Sequence, residues 1–167
     1  MILEEEDEVI DTTRKEYLLK EINGFTIHYE PDVFECTPDL EKCITDDLEY
    51  VCLLLPDSAR QKLQKSTPFW INTKISYGPK RKPVVGTSAC FHPGEGWLRK
   101  MGLNPKKCGG VEIYSAKNYV TSRRMWGTGG LLLHELCHAY HFKHTAGGYD
   151  NIPIRDVSNK HKVLLIH

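Results

Sequence analysis

No apolar run in this sequence approaches the roughly 20 residues that a helix needs to cross a bilayer, so a helical membrane span is not expected. There is also no excess of charge of either sign. Lys plus Arg and Asp plus Glu each total 22 in 167 residues, which gives no basis for expecting a nucleic-acid or membrane-surface partner. The first eleven residues are acidic and lack a basic segment followed by an apolar one, so neither a signal peptide nor a transit peptide is expected. Six cysteines are present, at 36, 43, 52, 90, 108 and 137, without a C-x-x-C pair or the spacing of a zinc knuckle. These absences point to a reducing compartment, cytoplasm or nucleus, with free thiols. Cys43, Cys52 and Cys137 are expected to act as small buried hydrophobes.

What remains is ordinary globular material, 40% hydrophobic and 26% charged, at a length that suits one domain with its own core. Residues 1–15 are expected to form a solvated, disordered acidic head, and residues 16–167 the domain. Asn23-Gly24 lies between two alternating apolar runs, which predicts a hairpin ending before Pro31. Thr37-Pro38 opens a helix over about 38–55, where Leu40, Cys43, Ile44, Leu48, Val51, Cys52 and Leu55 recur at three- and four-residue intervals. Residues 57–64 read as a shorter helix, 67–75 as a strand, 78–86 as a loop and 88–92 as a short strand. A helical turn is expected at 97–100. Residues 111–115 alternate like a strand, which Tyr119 and Val120 could extend. A long helix should then run from about 131 to 144 and stop at Gly147-Gly148. The fold class is α+β, a small mixed sheet packed against two long helices.

The chemistry concentrates in His134-Glu135-Leu136-Cys137-His138, an H-E-x-x-H pattern. Residues four apart on a helix differ by roughly 40° around the axis and about 6 Å along it. His134 and His138 can therefore offer neutral imidazoles to one tetrahedral Zn2+. Glu135 lies about 100° around from His134, which lets its carboxylate reach a zinc-activated water without ligating the metal. It is the candidate general base, taking the water's proton and returning it to a leaving amine. A shuffled chain of this composition would contain roughly 0.03 such matches, so chance is a poor explanation. Leu131, Leu132, Leu133 and Leu136 supply the apolar neighbours of a helix at the base of a cleft.

A catalytic zinc site needs a third protein ligand. Asp150 is one candidate, because Gly147-Gly148 lets the chain fold back. It could equally form a turn with Asn151. His144 stands where longer zinc motifs place a third histidine, but His141 replaces the glycine that would turn the chain. His141 itself lies about 10 Å beyond His134 along the helix, too far to share its metal, and is expected to support the site or lie at the surface. Cys90 and Cys108 could ligate from earlier segments.

Residues 88–151 resemble a little-characterised group of bacterial and fungal zincin-type metallopeptidase homologues. The matching stretches are Phe91-His92-Pro93-Gly94-Glu95-Gly96-Trp97-Leu98-Arg99, Asn104-Pro105, Gly110-Val111-Glu112-Ile113 and residues 133–141. Tyr149-Asp150-Asn151 resembles that group's Phe-Asp-Asn. The resemblance implies a zincin-like domain that acts on a peptide or protein substrate, with His134 and His138 as metal ligands. It also implies that residues 111–115 are the edge strand along which the peptide lies, and that a third ligand comes from a glutamate in a later segment resembling E-Y-F-A-E. After Asp156 the sequence has no such segment and runs from Val157 to His167. The alternative expectation is therefore a C-terminally incomplete zincin domain that binds peptide without cleaving it.

Overall fold

The protein is described by a computed structural model, which describes residues 8–153 and residue 156. Strand β1, Leu18–Ile22, turns at Asn23-Gly24 into β2, Phe25–Tyr29. Both turn residues take positive φ, 48° and 80°, and Ile22 pairs directly with Phe25. This is the two-residue hairpin that Asn-Gly favours, because its backbone twist matches that of the flanking strands. A short helix, α1 (Val33–Cys36), leads to α2 (Leu40–Leu54) and α3 (Asp57–Ser66). Pro56 separates the last two. Strand β3 is Phe69–Ile71, and β4 (Ser76–Tyr77) and β5 (Val84–Val85) form a small hairpin. Strand β6, Ala89–Phe91, precedes α4, Glu95–Lys100, and a 3-10 turn, Pro105–Lys107. Strand β7 (Val111–Ile113), α5 (Ala116–Trp126) and α6 (Gly130–His144) follow, and a second 3-10 turn spans Gly148–Asp150.

The main sheet is mixed, in the order β1-β2-β3-β7-β6. β2, β3 and β7 run parallel, while β1 and β6 are antiparallel to their neighbours. One face carries Ile27, Phe69, Ile71, Val111, Ile113 and Phe91, all buried against Ile44, Leu48 and Val51 of α2 and Leu132, Leu136 and Ala139 of α6. The period of two along each strand sends the intervening residues, Trp70 and Glu112 among them, to the opposite face. There α4 and the 3-10 turn Pro105–Lys107 build a second cluster around Ile75, Tyr77, Leu98, Leu103 and Tyr114. Both faces of β3 and β7 are thus covered, and each reads as an unbroken buried run.

The structure departs from the sequence expectations in four places. Tyr119 and Val120 do not extend a strand. Ser115 caps α5 instead, its Oγ accepting the Asn118 N–H at 3.3 Å, and Tyr119 is fully buried on that helix. β7 is not an edge strand, because β6 pairs along its outer side and is itself the edge. The acidic head is shorter than expected. Ile10 N–H donates to Gly78 C=O at 2.9 Å, and Thr12, 4% exposed, donates its N–H and hydroxyl to Gly102 C=O. Residues 1–7 lie outside the described residues. Of the cysteines, Cys43 is buried, Cys52 is partly so and Cys137 is exposed, because position 137 falls on the outer side of α6. All six are free thiols, and no helix among the described residues is long and apolar enough to cross a membrane.

Candidate metal centre

The start of α6 is fixed by a residue that the sequence reading did not single out. Asp47 of α2, 2% exposed, accepts the Gly129 N–H at 2.7 Å and the Arg123 Nε–H at 3.0 Å, and also pairs with the Tyr119 hydroxyl. Gly129 sits at φ 73°, and a Cβ there would lie 3.1 Å from the Asp47 carbonyl oxygen. Glycine therefore serves both the left-handed turn and the close approach. The carboxylate also lies beside unsatisfied N–H groups at the helix N-terminus, where negative charge is favoured. One buried side chain thus ties α2, α5 and α6 together and sets where the histidines begin.

From that start, α6 places His134 and His138 on one exposed face, with their Nε2 atoms 3.1 Å apart and their rings nearly perpendicular, at 86°. Two nitrogens on a tetrahedral zinc at 2.0–2.1 Å stand about 3.3 Å apart, so the spacing and convergence fit a shared zinc. Trp126 flanks His134, at a ring separation of 5.4 Å, and Tyr149 flanks His138 at 6.5 Å. Burial, and after it the Cys90 and Glu135 charges, push the Tyr149 phenol above its ordinary pKa.

Glu135 points the other way, inward, and is 7% exposed. Its Oε2 accepts the Phe91 main-chain N–H at 2.8 Å. The geometry of β6 explains why that donor is free. His92 N–H bonds to Gly110 C=O and Tyr114 N–H to Ser88 C=O, so Ser88, Cys90 and His92 turn their backbone groups towards β7. Ala89 and Phe91 then turn theirs outward. Glu135 is thus anchored by one oxygen to the outward N–H of β6, on the buried side of α6, while His134 and His138 lie on its exposed side. Sequence alone gave no sign of this contact, since it joins residues 44 positions apart.

The third-ligand candidates do not gather here. Among the described residues, no group of three or more His, Cys, Asp and Glu side chains is arranged to hold a metal. Asp150 is exposed in a turn closed by the Gly148 N–H to Thr145 C=O bond, and among the described residues it does not join the histidine pair in a metal-holding group. His144 faces α3, with Nε2 3.1 Å from Ser66 Oγ. Cys90 turns its thiol to Phe91 C=O and Cys108 to Pro93 C=O. His141 is partly buried, packs on Tyr149 at 5.2 Å and leaves its buried Nε2 without a hydrogen-bond partner. The segment after Asp156 lies outside the described residues.

Behind β6 stands a second unexpected cluster. Glu112, fully buried, receives Asn72 Nδ2–H at 2.8 Å, pairs with Lys107, and lies 2.8 Å from His92 Nε2. An ionised carboxylate only accepts, so Nε2 carries the proton. Burial pushes the Glu112 pKa up, but the His92 hydrogen bond and the Lys107 charge outweigh it and hold the group below its ordinary value. Burial lowers Lys107. The cluster ties the 3-10 turn Pro105–Lys107 and the segment after β6 to the middle of the sheet.

No family model, curated protein or solved structure matches this chain.

Proposed function

We propose that the chain is a zincin-like, zinc-dependent peptidase domain that acts on a peptide or protein substrate. The observation that carries this reading is the pairing of His134 and His138 Nε2 at 3.1 Å with a Glu135 carboxylate held at the open sheet edge. His134 and His138 would hold the metal. Zinc bound there would supply Lewis acidity, polarising a carbonyl and acidifying water. The chain's own groups do the rest. β6 is the edge of the sheet and turns the Ala89 backbone groups outward, against which an extended peptide can add, next to the Phe91 N–H that Glu135 holds. Glu135, anchored through Oε2, keeps Oε1 to accept a proton from water and return it to the leaving amine. Trp126 and Tyr149 wall the two ends of the histidine pair.

One observation favours a second reading, a domain that binds peptide without cleaving it. Only two ligands converge among the described residues, and a site short of one ligand binds metal more weakly and orients water less well. The two readings separate in one experiment. Zinc-loaded protein is incubated with an unfolded protein substrate, with and without a chelator, and cleavage and binding are both followed. Chelator-sensitive cleavage supports the peptidase. Binding without cleavage supports the second reading. Neither binding nor cleavage contradicts both.

A further inference from the structure

At the end of the edge strand lies a cavity of about 300 Å³, lined by Cys90, His92, Pro93, Gly94, Gly96 and Trp97, with Phe91 at its rim. This volume stands at the lower limit of ligand pockets, enough for one side chain rather than a whole cofactor. We infer that this cavity is a specificity subsite that receives one aromatic or long aliphatic side chain of a peptide extended along β6. The inference rests on the peptide-binding edge proposed above and names the substrate class that edge would select.

Three observations support it. The first is position. Cys90 and His92 project from the face of β6 opposite Phe91, and Phe91 N–H is the group that holds Glu135. A strand added to the edge sends alternate side chains to the same two faces. The side chain that points to the Cys90 and His92 face then enters the cavity beside the bond facing Glu135.

The second is chemistry. The walls are apolar apart from His92, whose Nε2–H is committed to Glu112. The ring of His92 stacks on Trp97 at 5.7 Å and 23°, so the two present flat surfaces. Outside, the nearest charges on α4, Glu95 and Arg99, pair with each other at 2.9 Å. An anionic side chain inside would lose water and lie near the Glu112 carboxylate behind His92, whereas an apolar one gains by leaving water. The apolar walls therefore set the occupant.

The third is the space itself. A Cβ built on Gly94 or Gly96 meets nothing within 4 Å. Neither glycine is required by a positive φ or a close backbone approach. They leave room, and Trp97, 45% exposed, stands beside that room although it is large and apolar.

The test uses fluorescent octapeptides of Ala and Thr with one variable position, carrying Phe, Leu, Ala or Asp. Binding is read by anisotropy on metal-free protein. A failure of the zinc reading then leaves this measurement intact. Unchanged protein should bind the Phe and Leu peptides about tenfold more tightly than the Ala peptide, and the Asp peptide most weakly. Gly96→Leu adds a side chain at a lining position where a Cβ meets nothing within 4 Å, and should bring Phe, Leu and Ala to equal affinity while the Ala peptide binds as before. Trp97→Ala should reduce the preference for Phe more than that for Leu. Circular dichroism confirms that each variant is folded. A Phe preference that survives Gly96→Leu overturns the subsite, as does Ala or Asp binding as tightly as Phe. Failure of every peptide to bind overturns the subsite and the peptide-binding edge together, whatever the zinc measurement shows.

Discussion

Glu135 of α6 and Phe91 of β6 are joined by a 2.8 Å hydrogen bond from main-chain N–H to carboxylate. The bond commits one oxygen of the candidate base to the open edge of the sheet and fixes the direction of the other. A base placed by main chain rather than by another side chain keeps its position when neighbouring side chains are replaced.

This relationship separates two substitutions of the base. Glu135→Gln can still accept the Phe91 N–H and should keep its place and its zinc, but an amide cannot take a proton. Peptide hydrolysis should fall by roughly 10²–10⁴-fold, read as kcat on a fluorogenic peptide beside zinc content. Retained hydrolysis would remove Glu135 from the role of base.

The third-ligand candidates should prove dispensable. Asp150→Ala and His144→Ala remove groups that do not join the histidine pair, so each should leave zinc affinity within about twofold of the unchanged protein. That affinity should itself be weak, as expected with two protein ligands rather than three. Competition with a chelating dye measures it. Tight binding that is lost in Asp150→Ala would show that the turn Gly148–Asp150 folds onto the metal after all.

Local signals survived into the structure. Asn23-Gly24 made its hairpin, the three- and four-residue spacing from Leu40 made α2, and the run from Leu131 made α6. Each depends on residues within a few positions of one another. The expectations that moved depended on partners distant in sequence. Residues 111–113 are a strand as expected, but whether a strand is interior or at an edge depends on what pairs beside it, and β6 does so antiparallel. Tyr119 and Val120 look strand-like alone, yet Ser115 starts a helix there, and the Ser-Ala-Lys-Asn sequence carried that capping signal. Asp47 and Glu112 were illegible because a buried carboxylate in sequence looks like any surface acid until its partners arrive.

Asp47 provides a stability test. Asp47→Ala would strip Arg123, Tyr119 and Gly129 of their shared acceptor in a buried setting. The expected loss is roughly 3–5 kcal/mol, measured by urea unfolding. A loss below about 1 kcal/mol would mean that α6 is positioned by packing alone.

Glu112 sets an acid limit on stability. Its carboxyl is held below the ordinary value of 4.5 in the folded protein. The unfolded state therefore binds more protons in that range, and the stabilisation is fully present above about pH 5 and lost as pH falls through the folded value. Glu112→Gln should flatten this part of the stability profile and also lower stability at neutral pH, since Lys107 stays buried without its counter-charge. Urea unfolding at a series of pH values measures both. An unchanged acid slope would place the protons elsewhere.

The central claim is that His134 and His138 form one metal-binding pair. Zinc titration against a chelating dye, on the unchanged protein, His134→Ala and His138→Ala, tests it most directly. The account predicts one zinc per chain in the unchanged protein and binding at least about tenfold weaker in each variant. Equal zinc binding by all three proteins would contradict it.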